Sequence, residues 1–578
     1  MLKTTCPLDC YDSCSVVYEG GKLRGDKDHP FTNGFLCPNL NSFLKVNRIE
    51  SARFGDKNIS IDQALTILSD KLRKSKNSIY FKGSGNFGIM QDIPSVFFHQ
   101  YGSDFTKGSL CDGAGEAGIV EGRGESLHLP PSQIAKSDVV VIWGRNISVT
   151  NSHMMPILKD KTVIVIDPRK TEIAKKADIH IQIKPRTDLY LAILLARFVH
   201  MQQLENMEFI KNRTENFDDF IDFIHSLRIN FLMNESEISI DDLNKTVDLI
   251  STKRVSFLVG LGVQKYSHGA TVLRAIDSLG AMLGLFGKEG CGVSYLGNSS
   301  YGFTKLFKQG MKQIPKPTVN FGNYDLSFIQ GSNPANQMPC TQKVIDGLRK
   351  SNFVVYFGLY KNETSALADL VIPAKNFLEK DDFRFSYGHE YIGRIPKLID
   401  SEIGISEYEL TQYLCHEFGF ESSDKEKKII KEVIDSNSLE KDGFLISKSY
   451  ENIPYRDKFF TDSGKFIFFD ELEDYYEEEK DGYFLLTAKS KYSLNSQFKR
   501  REYLYVPSSS GLKDDDIVEV NSKYGKYKFI VKIDDNLRDD SVFIESGVSG
   551  VNFLTPNLYS DEGYNAIYQE LKVTIRVK

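Results

Sequence analysis

The chain has 578 residues, 41% of them hydrophobic and 26% charged, with a net charge of −6. That is the make-up of a globular protein with a large core and about three to five domains or subdomains. The mild acidity, without a basic stripe, excludes a nucleic-acid polyanion as main partner. Eight cysteines in this length exclude a disulfide framework, leaving metal binding or catalysis for any that cluster.

In chain order, Met1 leads almost at once to Cys6, with no basic start, apolar run or twin-arginine leader. We therefore expect no signal peptide and a reducing cytoplasm. No stretch approaches ~18 consecutive apolar residues, so no membrane span is expected. The run "CPLDCYDSC" crowds Cys6, Cys10 and Cys14 together, and Cys37 follows at a distance in "NGFLCPN". Structural zinc sites usually pair their ligands two and two. Three thiols on one tight loop plus one from elsewhere suit a [4Fe–4S] cluster better, with zinc as the alternative.

Beyond short β-like pieces in "SVVYEGGKLRG", "IDQALTILSDKLRKS" has helical spacing and "SIYFKG" reads as a strand. "SDVVVIWGRN" (137–146) and "KTVIVIDPRK" (161–170) are continuous apolar runs closed by Gly or Asp, the form of buried parallel strands. "DLYLAILLARFVHM" (188–201) is an apolar helix, and "VSFLVGLGVQ", "LSFIQGSNP" and "FVVYFGLYKN" repeat the strand with a polar tip. Strands alternating with helices imply parallel α/β sheets, whose ligands sit beyond the carboxyl ends of the strands. Residues 422–443 read as a charged surface helix and loop, and "DELEDYYEEEKDG" (470–482) as a solvated acidic connector. After 483 short strands with Gly and Asp turns point to a β-barrel.

Several motifs, in order along nearly the whole chain, resemble the molybdenum/tungsten bis-pterin oxidoreductases of the dimethyl sulfoxide reductase superfamily. They are the cysteine segment, "SLCDGAGEAG" (109–118), "VIWGRNISVTN" (141–151), "VIDPRKTEIAKKADIHIQIKPRTD" (165–188), "FIQGSNPANQMP" (328–339), "ETSALADLVIPAKNFLEKDD" (363–382), "SLNSQF" and "VNFLTPN". The resemblance implies an α/β multidomain fold with four parts. Residues 1–50 would form an Fe–S subdomain, and 51–130 with 330–470 a discontinuous Rossmann-like domain binding one pterin. Residues 131–329 would form a second such domain for the other pterin nucleotide, and 483–578 a C-terminal dinucleotide-binding β-barrel.

It further implies that Cys6, Cys10, Cys14 and Cys37 hold one [4Fe–4S] cluster and that Cys111 ligates molybdenum or tungsten carried by bis-molybdopterin guanine dinucleotide. Gly144, Asn146, Asp167, Arg169, Thr187 and Asp188 would bind one pterin nucleotide. Gly331, Asn333 and Pro334 would bind the other, with Asn495, Gln497 and Asn552 of the barrel closing over both. Glu116 is a candidate proton relay and His153 a candidate for the substrate funnel. Cys291, Cys340 and Cys415 read as inert core thiols.

The expected activity is two-electron chemistry on a small substrate, with S- or N-oxide reduction favoured and a redox protein or carrier as electron partner. Asp112, where formate dehydrogenases of this family place a His after the metal ligand, weighs against formate oxidation. An electron-transfer scaffold without pterin and a non-redox hydratase are the rivals. Three departures stand out: Asn39 occupies the position of a Lys common in relatives, Arg186 replaces a Gly in "PRTD", and the chain is short for the family.

Overall fold

A computed structural model describes residues 2–43, 47–83, 88–297, 310, 312–471, 481–498 and 500–577. The amino end forms a three-stranded antiparallel sheet of Leu2–Thr5, Ser15–Glu19 and Lys22–Gly25, with the cysteine loop between the first two strands.

Two larger sheets follow. One is all-parallel, in the order Ile179–Ile181, Thr162–Ile166, Val139–Trp143, Val255–Val259, Gly292–Tyr295. Every residue of Val139–Trp143 is buried, because helices cover both faces and neither face can afford alternation. The apolar helix lies at Asp188–Met201, as its pattern predicts, and packs with Gly269–Met282. The second sheet has six strands, in the order Lys57–Ile59, Ala52–Phe54, Leu370–Pro373, Phe353–Gly358, Leu326–Gln330, Ser78–Lys82. Its last four are parallel, and an antiparallel hairpin forms the other edge.

Six C-terminal strands close a barrel: Tyr483–Ala488, Ser541–Glu545, Tyr503–Val506, Lys526–Ile533, Ile517–Asn521 and Lys572–Val577. The β texture after 483 is thus a closed barrel, which leaves no free sheet edge.

One expectation is corrected. The stretch 422–443 contains the helix Glu426–Asn437, but its tail is not loop: Ser438–Lys441 pairs with Phe444–Ser447. Asp442 and Gly443 stand at φ +53° and +79°, the two-residue turn that a hairpin of right-twisted strands requires. That hairpin extends the sheet of Asp382–Phe385 and Tyr391–Ile395. Most of the acidic connector expected at 470–482 lies outside the described residues. No helix among the described residues is long and apolar enough to cross a membrane.

Candidate active site

Both parallel sheets aim the carboxyl ends of their strands at one cavity of ≈ 1040 Å³. Gly144 follows Trp143, Asp167 follows Ile166, Gly331 follows Gln330, and all three line it. This volume is at the top of the range for single small-molecule sites, about 300–1,000 Å³. Gly144 has φ +57°, and a Cβ there would come within 2.7 Å of Val263 Cγ1, so only glycine keeps this tip open.

Cys111 stands in the wall just before the helix Gly113–Arg123. Its main chain is fixed from three sides. Its amide donates to Ser109 Oγ (2.8 Å), and its carbonyl accepts from Gln264 Nε2 (2.6 Å) and Lys265 Nζ (2.9 Å). The helix behind it packs closely: a Cβ on Gly118 would stand 2.2 Å from the Ala270 carbonyl oxygen. Arg123 of the same helix is fully buried and donates through Nε to Asp277 Oδ2 (2.7 Å), setting the helix against Gly269–Met282. Burial, and next the Asp112 carboxylate, push the Cys111 thiol up to about 12, with Lys265 opposing. A bound cation reverses that preference, because coordination strips the thiol of its proton.

Of the other residues singled out from the sequence, Asn146, Asp167, Arg169, Asp188, Asn333, Asn495, Gln497 and Asn552 also line the cavity. Burial pushes the Asp167 carboxyl up to about 7 and that of Asp188 to about 6. Asp188 accepts from Trp143 Nε1 at 2.7 Å. Arg169 is spoken for by Asp534 (2.6 Å) and lies 4.3 Å from the Phe543 ring centroid. Asn552 Nδ2 donates to the carbonyls of Asn336 (2.8 Å) and Gln337 (3.1 Å), tying the barrel to the turn that Pro334 begins. Gln497 Oε1 is buried with no hydrogen-bond partner, an acceptor left for a ligand donor. Glycine-opened strand tips, an orphan amide and enclosed lysines fit an anionic dinucleotide.

Thr187 is buried beside this wall, its hydroxyl donating to the Lys184 carbonyl (2.8 Å). Glu116 sits one turn into the helix behind Cys111, outside the cavity lining. Burial, then Asp112, push its carboxyl up to about 8, and Oε2 is enclosed without a partner.

His153 is the clear departure from expectation. It is absent from the cavity wall and lies instead against the cysteine loop. Nδ1 pairs with Asp12 Oδ2 (2.7 Å), and Nε2 lies 3.2 Å from the Phe35 carbonyl and 3.9 Å from Cys14 Sγ. His153 comes after the short helix Ile147–Thr150, whose last residue still lines the cavity.

Cys6, Cys10, Cys14 and Cys37 share one enclosed neighbourhood, and burial raises the pKa of each thiol. The Cys6 amide donates to the Cys14 carbonyl (2.9 Å), closing the loop. Among the described residues no three His, Cys, Asp or Glu converge tightly enough for a single ion. Four cysteine thiolates are a donor set that either a four-iron cluster or a zinc ion takes.

Sequence reasoning missed the residue that organises this loop. Arg384, 1% exposed, donates to the carbonyls of Cys6 (2.9 Å), Leu8 (2.7 Å) and Cys10 (3.1 Å). The faint signal was an Arg alternating with Phe383 and Phe385 in a buried strand. Lys265 and Lys489 were missed as well, since nothing local marks a lysine that tertiary folding encloses.

The strand tips, the thiol-bearing wall and the enclosing barrel together make a site of the size and chemistry for a dinucleotide cofactor. The molybdopterin oxidoreductase family model matches residues 57–392, and the molydopterin dinucleotide binding domain matches residues 483–569. The chain belongs to the molybdopterin oxidoreductase family. It is 27% identical to a probable oxidoreductase, YyaE, of Bacillus subtilis, over 97% of each chain. It is 24% identical to the F420-dependent formate dehydrogenase subunit alpha of Methanocaldococcus jannaschii, over 99% of this chain and 98% of that one. Acetylene hydratase from Pelobacter acetylenicus has the same fold, with a TM-score of 0.80 over the whole of both chains at 16% identity.

Proposed function

We propose that this enzyme carries out two-electron redox chemistry on a small substrate at a molybdenum or tungsten bis-pterin guanine dinucleotide centre, with one [4Fe–4S] cluster relaying electrons to a redox partner. The observation that carries the reading is the convergence of Cys111 with the carboxyl ends of both parallel sheets on one cavity. The metal centre, when bound, supplies the two-electron change, and the chain supplies position and field.

Cys111 would hold the metal as a soft thiolate. The tips at Gly144, Asn146, Asp167 and Asp188 would take one pterin nucleotide, and those at Gly331 and Asn333 the other, with Asn495, Gln497 and Asn552 above them. Cys6, Cys10, Cys14 and Cys37 would hold the cluster. Glu116, protonated at neutral pH, would exchange a proton from behind Asp112.

Reduction of an S- or N-oxide is the reaction we favour. Asp112 stands directly after Cys111, where formate dehydrogenases of this family place a His, which weighs against formate; its Oδ1 accepts from Ser109 Oγ (2.8 Å). Metal and cofactor analysis of anaerobically purified protein tests the reading, followed by a dye-linked screen of S- and N-oxides against formate and nitrate. Iron, molybdenum or tungsten, and pterin in one preparation support it. Iron without metal or pterin would make the chain a scaffold, and turnover without any electron donor would make it a hydratase.

A further inference from the structure

The cysteine loop and the Cys111 end of the cavity meet at Asp9. Its Oδ1 accepts from Tyr387 Oη (3.3 Å) and its Oδ2 from Asn495 Nδ2 (3.2 Å). Lys489, which follows the first barrel strand, adds a third tie: Nζ donates to the Asp9 carbonyl (3.4 Å) and lies 3.8 Å from Oδ2. Asp9 is covalently next to Cys10, and Cys10 Sγ in turn lies 3.8 Å from the carbonyl of Thr150 in the cavity wall. The ammonium of Lys489 therefore touches the residue next to Cys10 and shares a cavity wall with Cys111. Asn39 belongs to the same wall and brings no charge. Burial works against the Lys489 charge, and the Asp9 carboxylate 3.8 Å away supports it.

We propose that Lys489 is a positioning residue whose fixed positive charge sets the field between the cysteine loop and Cys111 and so raises the reduction potential of the cluster. The proposal rests on the cluster reading above. Adding an electron to the cluster adds negative charge, and a nearby enclosed cation stabilises that state more than the oxidised one. A lysine from the barrel can do this only when the barrel is closed on the loop, so the potential also reports that closure.

The test is an EPR-monitored redox titration of the anaerobically purified full chain, as wild type, Lys489→Met and Lys489→Arg, with iron and pterin measured on each. The expected result is a lower midpoint in Lys489→Met, by about a tenfold change in the one-electron equilibrium constant, or ~59 mV. Lys489→Arg keeps the wild-type value, and iron content stays the same in all three. A midpoint unchanged in Lys489→Met with iron retained overturns the proposal. So does a midpoint in Lys489→Arg that falls as far as in Lys489→Met, which would assign the effect to shape rather than charge. Should Lys489→Met lose iron, the Arg variant alone decides against the proposal if its midpoint departs from wild type. Wild-type protein without iron would fail the cluster reading itself, a different result from any of these.

Discussion

Glu570, two residues before the last barrel strand, accepts from the Arg186 guanidinium at 2.8 Å, with 1% of the glutamate side chain exposed. Arg186 stands at φ +74°, a backbone conformation that favours glycine. The strain of that backbone costs about 1–2 kcal/mol, whereas taking the charged partner from a buried carboxylate, here left with only the Ser267 amide and hydroxyl, costs up to about 3–5 kcal/mol. Arg186→Gly should therefore destabilise by roughly 1–4 kcal/mol despite relieving the backbone. Arg186→Gly combined with Glu570→Gln should recover most of the loss. Apparent melting temperatures of the two variants check both statements; a more stable Arg186→Gly would mean that the ion pair contributes nothing.

Removing Arg384 leaves three loop carbonyls without their charged donor, at about 1.5–3 kcal/mol for each such bond in isolation. Arg384→Met should purify with less than about a tenth of the wild-type iron. Arg384→Lys, which keeps the charge but cannot span three acceptors, should fall between them. Iron per chain after anaerobic purification is the measurement.

Glu116 gives a pH dependence whose sign follows from its environment. Its ordinary value is 4.5 and the folded carboxyl titrates near 8. Between those values the folded state keeps a proton that the unfolded state has lost, so stability falls as pH rises across that window. Glu116→Gln should flatten the decline of the melting temperature between pH 5 and 8, relative to wild type. An unchanged slope would mean that the carboxyl ionises freely in the fold.

Cys111→Ala should lower dye-linked turnover more than about 100-fold, while iron content and the cluster spectrum stay at wild-type levels. Cys10→Ala should do the converse to the cluster, losing iron and with it turnover through external electron carriers. Full activity in Cys111→Ala would remove the metal assignment.

The sheets were legible because parallel strands buried on both faces read as unbroken apolar runs, as Val139–Trp143 and Thr162–Ile166 do. The helix Asp188–Met201 was legible for the same reason. The hairpin at 438–447 was missed although Asp442-Gly443 is a turn signal, because charge in the flanking residues masked the alternation. In the site, the cysteine spacing and the glycine-ended strands carried local information. His153 did not, since its partners Asp12 and Phe35 are distant in the chain. Arg384 is 378 residues from the Cys6 carbonyl that it binds, and no local pattern encodes such a contact.

Asp9 and Lys489 are 480 residues apart in the chain. During synthesis the first wall of the cavity leaves the ribosome long before the barrel that completes it exists. The barrel is tied to that wall through Asp9 and through the Asn336 and Gln337 carbonyls. The wall of the cavity is therefore complete only when both ends of the chain are in place.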